Sequence, residues 1–191
     1  LRRSVAVAAD LGARTVVLHP AFRWQRRYAG VFADEVARAG GSCGVLLTVE
    51  NMFPVTRGRV TATPYDPGHD PTAVGYAHYT LDLSHTAVAG DDALAMLERM
   101  GEGLAHVHLG DGTGAHRDEH LVPGHGTQPC AEVLQRLADV GFGGVVVAEI
   151  NTRGCRTRYE RAAMLAETLL FARLHLQASG AASAPGSAVP S

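Results

Sequence analysis

The sequence contains no lysine, and all 17 of its basic residues are arginine. That absence excludes a lysine Schiff base and a Walker-type phosphate loop, since both need the ε-amine. Cysteine is scarce: Cys43, Cys130 and Cys155 are far apart and odd in number. They fit neither a disulfide framework nor a paired-cysteine metal knuckle, and a reducing cytoplasm is the expected compartment. No apolar run approaches the roughly 20 residues of a membrane span, and no signal peptide is visible. Net charge is −2 and aromatics make up 6%, so there is no global electrostatic case for a nucleic-acid or membrane partner.

What is present suits one globular domain: 191 residues, 46% hydrophobic and 19% charged. Five apolar runs read as strands: "TVVLHP" (15–20), "VLLTVEN" (45–51), "YTLDLSH" (79–85), "LAHVHLGD" (104–111) and "GVVVAEIN" (144–151). Their near-continuous hydrophobicity is the pattern of strands buried on both faces of a parallel sheet. Helical patterns lie between them. "RRSVAVAADLGA" is a short opening helix, and "YAGVFADEVARAGG" stops at Gly40-Gly41. "GDDALAMLERMG" takes Asp91 or Asp92 as its cap, and "TQPCAEVLQRLADVG" carries Pro129 near its first turn. "RYERAAMLAETLLFARLHLQ" is a long closing helix.

Alternating strands and helices predict βα units on a parallel sheet. An open nucleotide-binding sheet usually shows a glycine fingerprint after its first strand, and "HPAFRW" has none. An eight-stranded βα barrel runs to about 250 residues, and five strands cannot close one. The expected fold is therefore a partial TIM (β/α)8 barrel over residues 1–177, its last five βα units with the N-terminal strands missing. A start at Leu1 rather than Met agrees. The small-residue stretch 178–191 is expected to be a disordered tail.

The last inward-capable positions of the five strands are His19, Glu50, Asp82, His108 and Glu149. Functional residues of barrels collect at this end, where loops and strand tips converge. A carboxylate at the end of a buried strand is costly unless paired, hydrogen-bonded or metal-bound. Singly, His19 could be a hydrogen-bonded strand-end histidine and Asp82 a helix N-cap. Five such residues in five strands point to a shared polar centre. His85 forms a candidate ligand pair with Asp82, while His106 is expected to be a packed neighbour of His108. In "GDGTGAHRDEHLVPGHGTQP", Asp118 and His120 sit two apart among glycines that let backbone turn closely around a ligand; a flexible polar loop is the alternative. Two Glu, one Asp and one His suit Mn2+, Mg2+ or Co2+, and additional histidines would draw the site towards Zn2+ and more than one ion.

"VVLHP", "TVENM", "LDLSHTAVAG", "HVHLGDG", "RDEHLVPGHG" and "VVAEINTR" occur in that order. The chain so resembles the xylose-isomerase-like barrel superfamily, home of sugar-phosphate isomerase/epimerase proteins and endonuclease-IV-type enzymes for abasic DNA. The resemblance spans about residues 1–175 and corresponds to strands four to eight of the barrel. It implies that Glu50, Asp82, His108 and Glu149 are the metal quartet, with Glu50 and Glu149 also serving as acid and base. It implies a substrate contact or zinc ligand at His85, a further zinc pair at Asp118 and His120, and an endonuclease-type ligand at His19. Two departures stand out. Gly124-His125-Gly126 replaces the usual Gly-Glu-Gly, and without lysine the chain is not expected to act on xylose.

The leading functional reading is a divalent-metal-dependent isomerase or epimerase of a small sugar or sugar phosphate, with proton transfer through a cis-enediolate. Arg153 would hold a hydroxyl, carboxylate or phosphate of the substrate. The alternatives are a zinc phosphodiesterase on abasic DNA, for which "FRWQRR" (22–27) is the one stretch suited to touch a backbone, and a truncated inactive barrel. A homo-oligomer is compatible with an uncovered sheet edge, which would otherwise be an aggregation risk.

Overall fold

The computed structural model describes residues 1–40 and 44–177. The tail at 178–191, Cys43 and Gly41 of the helix-stop signal lie outside the described residues. In chain order the elements are α1 (Arg2–Asp10), β1 (Thr15–Leu18), α2 (Arg26–Ala29), α3 (Phe32–Gly40) and β2 (Leu46–Glu50). A hairpin of β3 (Val55–Arg57) and β4 (Val60–Ala62) follows, then β5 (Tyr79–Asp82), α4 (Leu83–Ala89), α5 (Ala93–Met100) and β6 (Leu104–Leu109). The last elements are α6 (Cys130–Asp139), β7 (Val145–Ala148) and α7 (Arg158–His175).

Strands β1, β2, β5, β6 and β7 pair in that order, every neighbour parallel. Parallel neighbours cannot be joined by tight turns, so each connection crosses over, and most carry a helix. Side chains alternate across each strand and sort the sheet into two faces. Leu47, Val49, Leu81, Val107 and Leu109 point outward and are buried beneath the helices. They join two cores, one built with α1 and α3 and the other with α5 and α6. The inner face carries Thr48, Glu50, Thr80, Asp82, His106 and His108. Its middle level is tied by the buried hydroxyl bond from Thr80 to Thr48 at 2.7 Å.

The strands form an open arc, and that corrects one expectation from the sequence. Strand β7 is not buried on both faces: Val145 and Val147, on the inner side, are 48% and 38% exposed. Its apolar run reflects an inner wall that five strands do not enclose.

Two further corrections are local. The run at 79–85 is not one strand; it turns at Asp82 into α4, because the Asp82 side chain accepts from the His85 N–H and caps the new helix. The expected helix at 28–41 is two pieces broken around Gly30. Of the two expected caps of α5, Asp92 is the one that serves, accepting from the Leu94 and Ala95 N–H groups. The hairpin β3–β4 was not anticipated; it turns at Gly58, whose φ of +63° suits glycine.

Candidate metal centre

Glu50, Asp82 and His108 stand at or one residue from the ends of β2, β5 and β6, and Glu149 follows the last residue of β7. One donor atom from each lies within 4.8 Å of every other. His108 Nδ1 is the hub, 2.8 Å from a Glu50 oxygen, 2.8 Å from a Glu149 oxygen and 3.3 Å from Asp82 Oδ2. The register explains the convergence: Asp82 is level with His108, and His108 is level with Val147, two residues before Glu149 on the same face. Glu50 is 2% exposed at its side chain and Glu149 43%, so one glutamate forms the floor and the other the rim.

Asp82 is held with little freedom. Its backbone N–H donates to Asn51 Oδ1 at 2.7 Å, and its carbonyl accepts from Asn51 Nδ2 at 3.0 Å. The buried Asn51 thus prolongs the β2–β5 pairing beyond the last ladder bond. One carboxylate oxygen of Asp82 is occupied by the helix cap. The other, Oδ2, is buried without a hydrogen-bond partner and faces the quartet. An orphaned buried carboxylate oxygen among other carboxylates fits a cation site.

A second group adjoins the first: donor atoms of Asp82, His85 and His120 also lie within 4.8 Å of one another. His85, in the first turn of α4, hydrogen-bonds the Asn51 carbonyl through Nδ1 at 2.8 Å, and its Nε2 is 3.4 Å from Asp118. His120 Nε2 lies 2.6 Å from Asp118. Ser84 binds both members of the pair, donating to Asp118 at 2.6 Å and accepting from the His120 N–H at 3.0 Å. His120 adopts φ +46°, unusual for a residue with a side chain, and its carbonyl accepts from Asn151 at 2.7 Å. Such conformations persist where surrounding bonds over-determine them, often at functional sites.

The loop between β6 and α6 is not flexible polar chain. Buried Asp111 accepts four backbone N–H groups, from Gly112 and Gln128 on one oxygen and from Gly124 and Gly126 on the other. A Cβ at Gly126 would run into that carboxylate and the Gly112 carbonyl, which is why glycine stands there. His125, in place of the usual glutamate, pairs with Glu167 of α7 at 2.8 Å on the surface.

Electrostatics follow from this crowding. Burial works against a charge on His108, but the carboxylates of Asp82, Glu149 and Glu50 gathered around its Nδ1 override it and carry its pKa up to about 12. Burial would raise Glu50, yet the hydrogen bonds from His108 and His19 bring it down to about 2. For His85, burial is outweighed by Asp118 and by the charges of Asp82 and Glu50, leaving it at about 9. Asp118 lies below the ordinary carboxylate range, because bonds from His120, His85 and Ser84 outweigh its burial. The hydrogen bond from His108 lowers Glu149. Two unit charges 4.8 Å apart repel by about 3 kcal/mol at an effective dielectric near 20, so three carboxylates this close demand positive charge. A proton on His108 supplies one unit; a divalent ion would supply two.

Of the remaining expected residues, His19 is exposed but reaches Glu50 at 3.1 Å. His106 packs edge-on against His108, ring centres 5.1 Å apart, as its packed role required. Arg153 lies past β7 with its backbone N–H held by Asn151 and its side chain exposed. In "FRWQRR", Phe22 stacks between Trp24 and Tyr65, at 4.4 and 5.3 Å, and Arg23 is tied to the carbonyls of Tyr65 and Pro67. Asn51, Ser84 and Asp111 were missed from sequence. The one signal for Asp111 was its place among the glycines of "LGDGTG".

Comparison with known proteins accords with this geometry. An uncharacterised protein of Mycobacterium tuberculosis (strain ATCC 25618 / H37Rv) is 51% identical over 195 residues, covering 92% of this chain and 70% of its own length. Among solved structures, a D-tagatose 3-epimerase-like protein superposes with a TM-score of 0.61 at 23% identity, over 91% of this chain and 68% of its own. A xylose isomerase domain protein from Alicyclobacillus acidocaldarius gives a TM-score of 0.59 at 25% identity, over 90% and 72%. The family model described as xylose isomerase-like TIM barrel matches residues 1–174, and the chain belongs to that family.

Proposed function

We propose that the chain carries the catalytic centre of a divalent-metal-dependent isomerase or epimerase of a small sugar or sugar phosphate. The observation that carries this reading is the convergence of four donor atoms from four adjacent strands, with Asp82 Oδ2 left without a hydrogen bond among them. Glu50, Asp82, His108 and Glu149 would hold the ion, and a hard oxygen-rich set favours Mn2+, Mg2+ or Co2+ over Zn2+. The bound ion would polarise a carbonyl and its neighbouring hydroxyl, lowering the barrier to removal of the α-proton. The protein's own residues supply the rest. Glu149, on the open rim, takes that proton; Glu50, on the floor and ionised at rest, passes one back to the enediolate that it receives from solvent through the exposed His19 ring 3.1 Å away. His85, fixed by Asn51 and Asp118, presents its ring edge beside them as a substrate contact. The named activities of the structural neighbours agree with an epimerase or isomerase reading.

The decisive experiment replaces Glu149 by Gln and follows exchange of the substrate C–H with solvent deuterium. Loss of exchange with the ion still bound supports the assignment; exchange at the native rate refutes it.

A zinc phosphodiesterase acting on abasic DNA is the second reading, favoured by the adjoining Asp82–His85–His120 group and by His19 against Glu50. Net charge of −2 and the tying of Arg23 to backbone carbonyls oppose it. Metal stoichiometry separates the two: one Mn2+-like ion for the isomerase, two or three zincs for the nuclease.

A further inference from the structure

Past the tips of β6 and β7 lies a polar cavity of about 270 Å3 lined by Arg117, Asp118, Glu119, Leu121, Asn151, Arg153 and Gly154. It is built from two loops only, those after β6 and β7. Counted along a closed barrel in which β1 is the fourth strand, these are the loops after strands seven and eight. In barrel enzymes that pair of loops frequently forms a phosphate site. The cavity adjoins the candidate metal centre through one shared wall residue. Asp118 forms part of its wall and contacts His85 and His120, and Asn151 follows Glu149 by two residues.

A count of charges decides what the cavity would accept. Both acidic residues in its wall are already satisfied. Asp118 receives Ser84 on one oxygen and His120 with His85 on the other. Glu119 receives the Thr113 N–H and hydroxyl on one oxygen and Arg117 on the other. Among the described residues, the Arg153 guanidinium has no hydrogen-bond or ion-pair partner, and Arg117, 79% exposed, uses one nitrogen at 3.3 Å. The unspent donors are thus cationic, planar and suited to bidentate capture of an oxyanion.

We propose that this cavity seats an anionic group of the substrate, a phosphate or a carboxylate, gripped by Arg153 with Arg117 as the second cation. The proposal rests on the isomerase reading and narrows it: the substrate is an acidic sugar derivative, its anionic end in the cavity and its reacting carbons at the quartet.

The test uses the whole chain freed of metal with a chelator, so that the negative quartet itself rejects anions. Binding of inorganic phosphate is followed by calorimetry and by 31P line broadening. Arg153→Met, which keeps the apolar stem, should weaken binding by about tenfold or more, and Arg117→Met by a smaller factor, with circular dichroism unchanged. Competition then separates the two sources. Displacement by a ketose phosphate at lower concentration than by a hexuronate identifies a phosphate site, and the reverse order a carboxylate site. No phosphate binding, or equal binding by the wild type and Arg153→Met, overturns the proposal. Mn2+ binding by the wild type, read in a separate titration by its paramagnetic resonance, keeps the two ideas apart: Mn2+ taken up but phosphate ignored sinks only the anion site, while phosphate binding together with failure to take up Mn2+ sinks the isomerase.

Discussion

Replacing Asp82 by Asn separates the two tasks of one side chain. One oxygen caps α4 through the His85 N–H at 2.9 Å, and the other faces the quartet without a hydrogen bond. Asparagine can keep the cap with its amide oxygen while presenting NH2 to the centre. In the metal-free protein the carboxylate is attracted to His108 at 3.3 Å and His85 at 3.9 Å, by roughly 5 and 4 kcal/mol at an effective dielectric near 20. Repulsion from Glu50 and Glu149, no more than 4.8 Å away, is roughly 3 kcal/mol each, so attraction and repulsion cancel to within a few kcal/mol. Asp82→Asn should therefore shift metal-free unfolding in urea by no more than about 2 kcal/mol, whereas Asp82→Ala loses the cap and costs about 1 kcal/mol more. Affinity for Mn2+, by calorimetry, should fall by at least about 100-fold in both variants, since even partners outside the ligand set are worth 10–100-fold. The reasoning is refuted if Asp82→Asn binds Mn2+ within threefold of the wild type.

On the proposed reading, an incoming Mn2+ would have to displace the proton on His108, whose pKa of about 12 keeps it charged across the neutral range. Binding should release close to one proton per ion at pH 7 to 8, measured by calorimetry in buffers of different ionisation enthalpy; no release contradicts the hub role. Without metal, the raised His108 stabilises the fold fully below its ordinary value of 6.5 and loses that contribution as pH climbs towards 12. The lowered Glu50 does the reverse, contributing above 4.5 and failing as pH falls towards 2. Urea midpoints of the metal-free chain should decline at both extremes, and a flat acid limb would exclude the Glu50 contribution. Ser84→Ala strands buried polar groups of Asp118 and His120, and should cost about 1–3 kcal/mol by denaturant titration. Gly126→Ala should cost a similar 1–3 kcal/mol, roughly, by driving a methyl into Asp111; a change below half of that would show the loop can yield.

The five main strands were legible because each is an apolar run long enough to stand out, and their polar tips could be aligned by counting alternate residues. That arithmetic alone sets Glu50, Asp82, His108 and Glu149 at one level of the sheet. It failed where one local bond decides the path. "YTLDLSH" is as apolar as a strand, and only the capping reach of Asp82 to the His85 N–H turns it into a helix at Leu83. The hairpin around Gly58 is short and mostly exposed, so no hydrophobic period announces it. Asn51 and Asp111 act through partners 31 and up to 17 residues away, contacts that no local pattern encodes. The exposure of Val145 and Val147 follows from the open five-stranded arc, a tertiary feature that no local pattern encodes.

Crystals soaked in MnCl2 and measured at the manganese edge test the shared-cation claim most directly. The account predicts one anomalous peak within about 2.0–2.4 Å of an oxygen from each of Glu50, Asp82 and Glu149 and of a His108 nitrogen. A peak elsewhere, or none at an ion concentration that saturates the protein in solution, would contradict it.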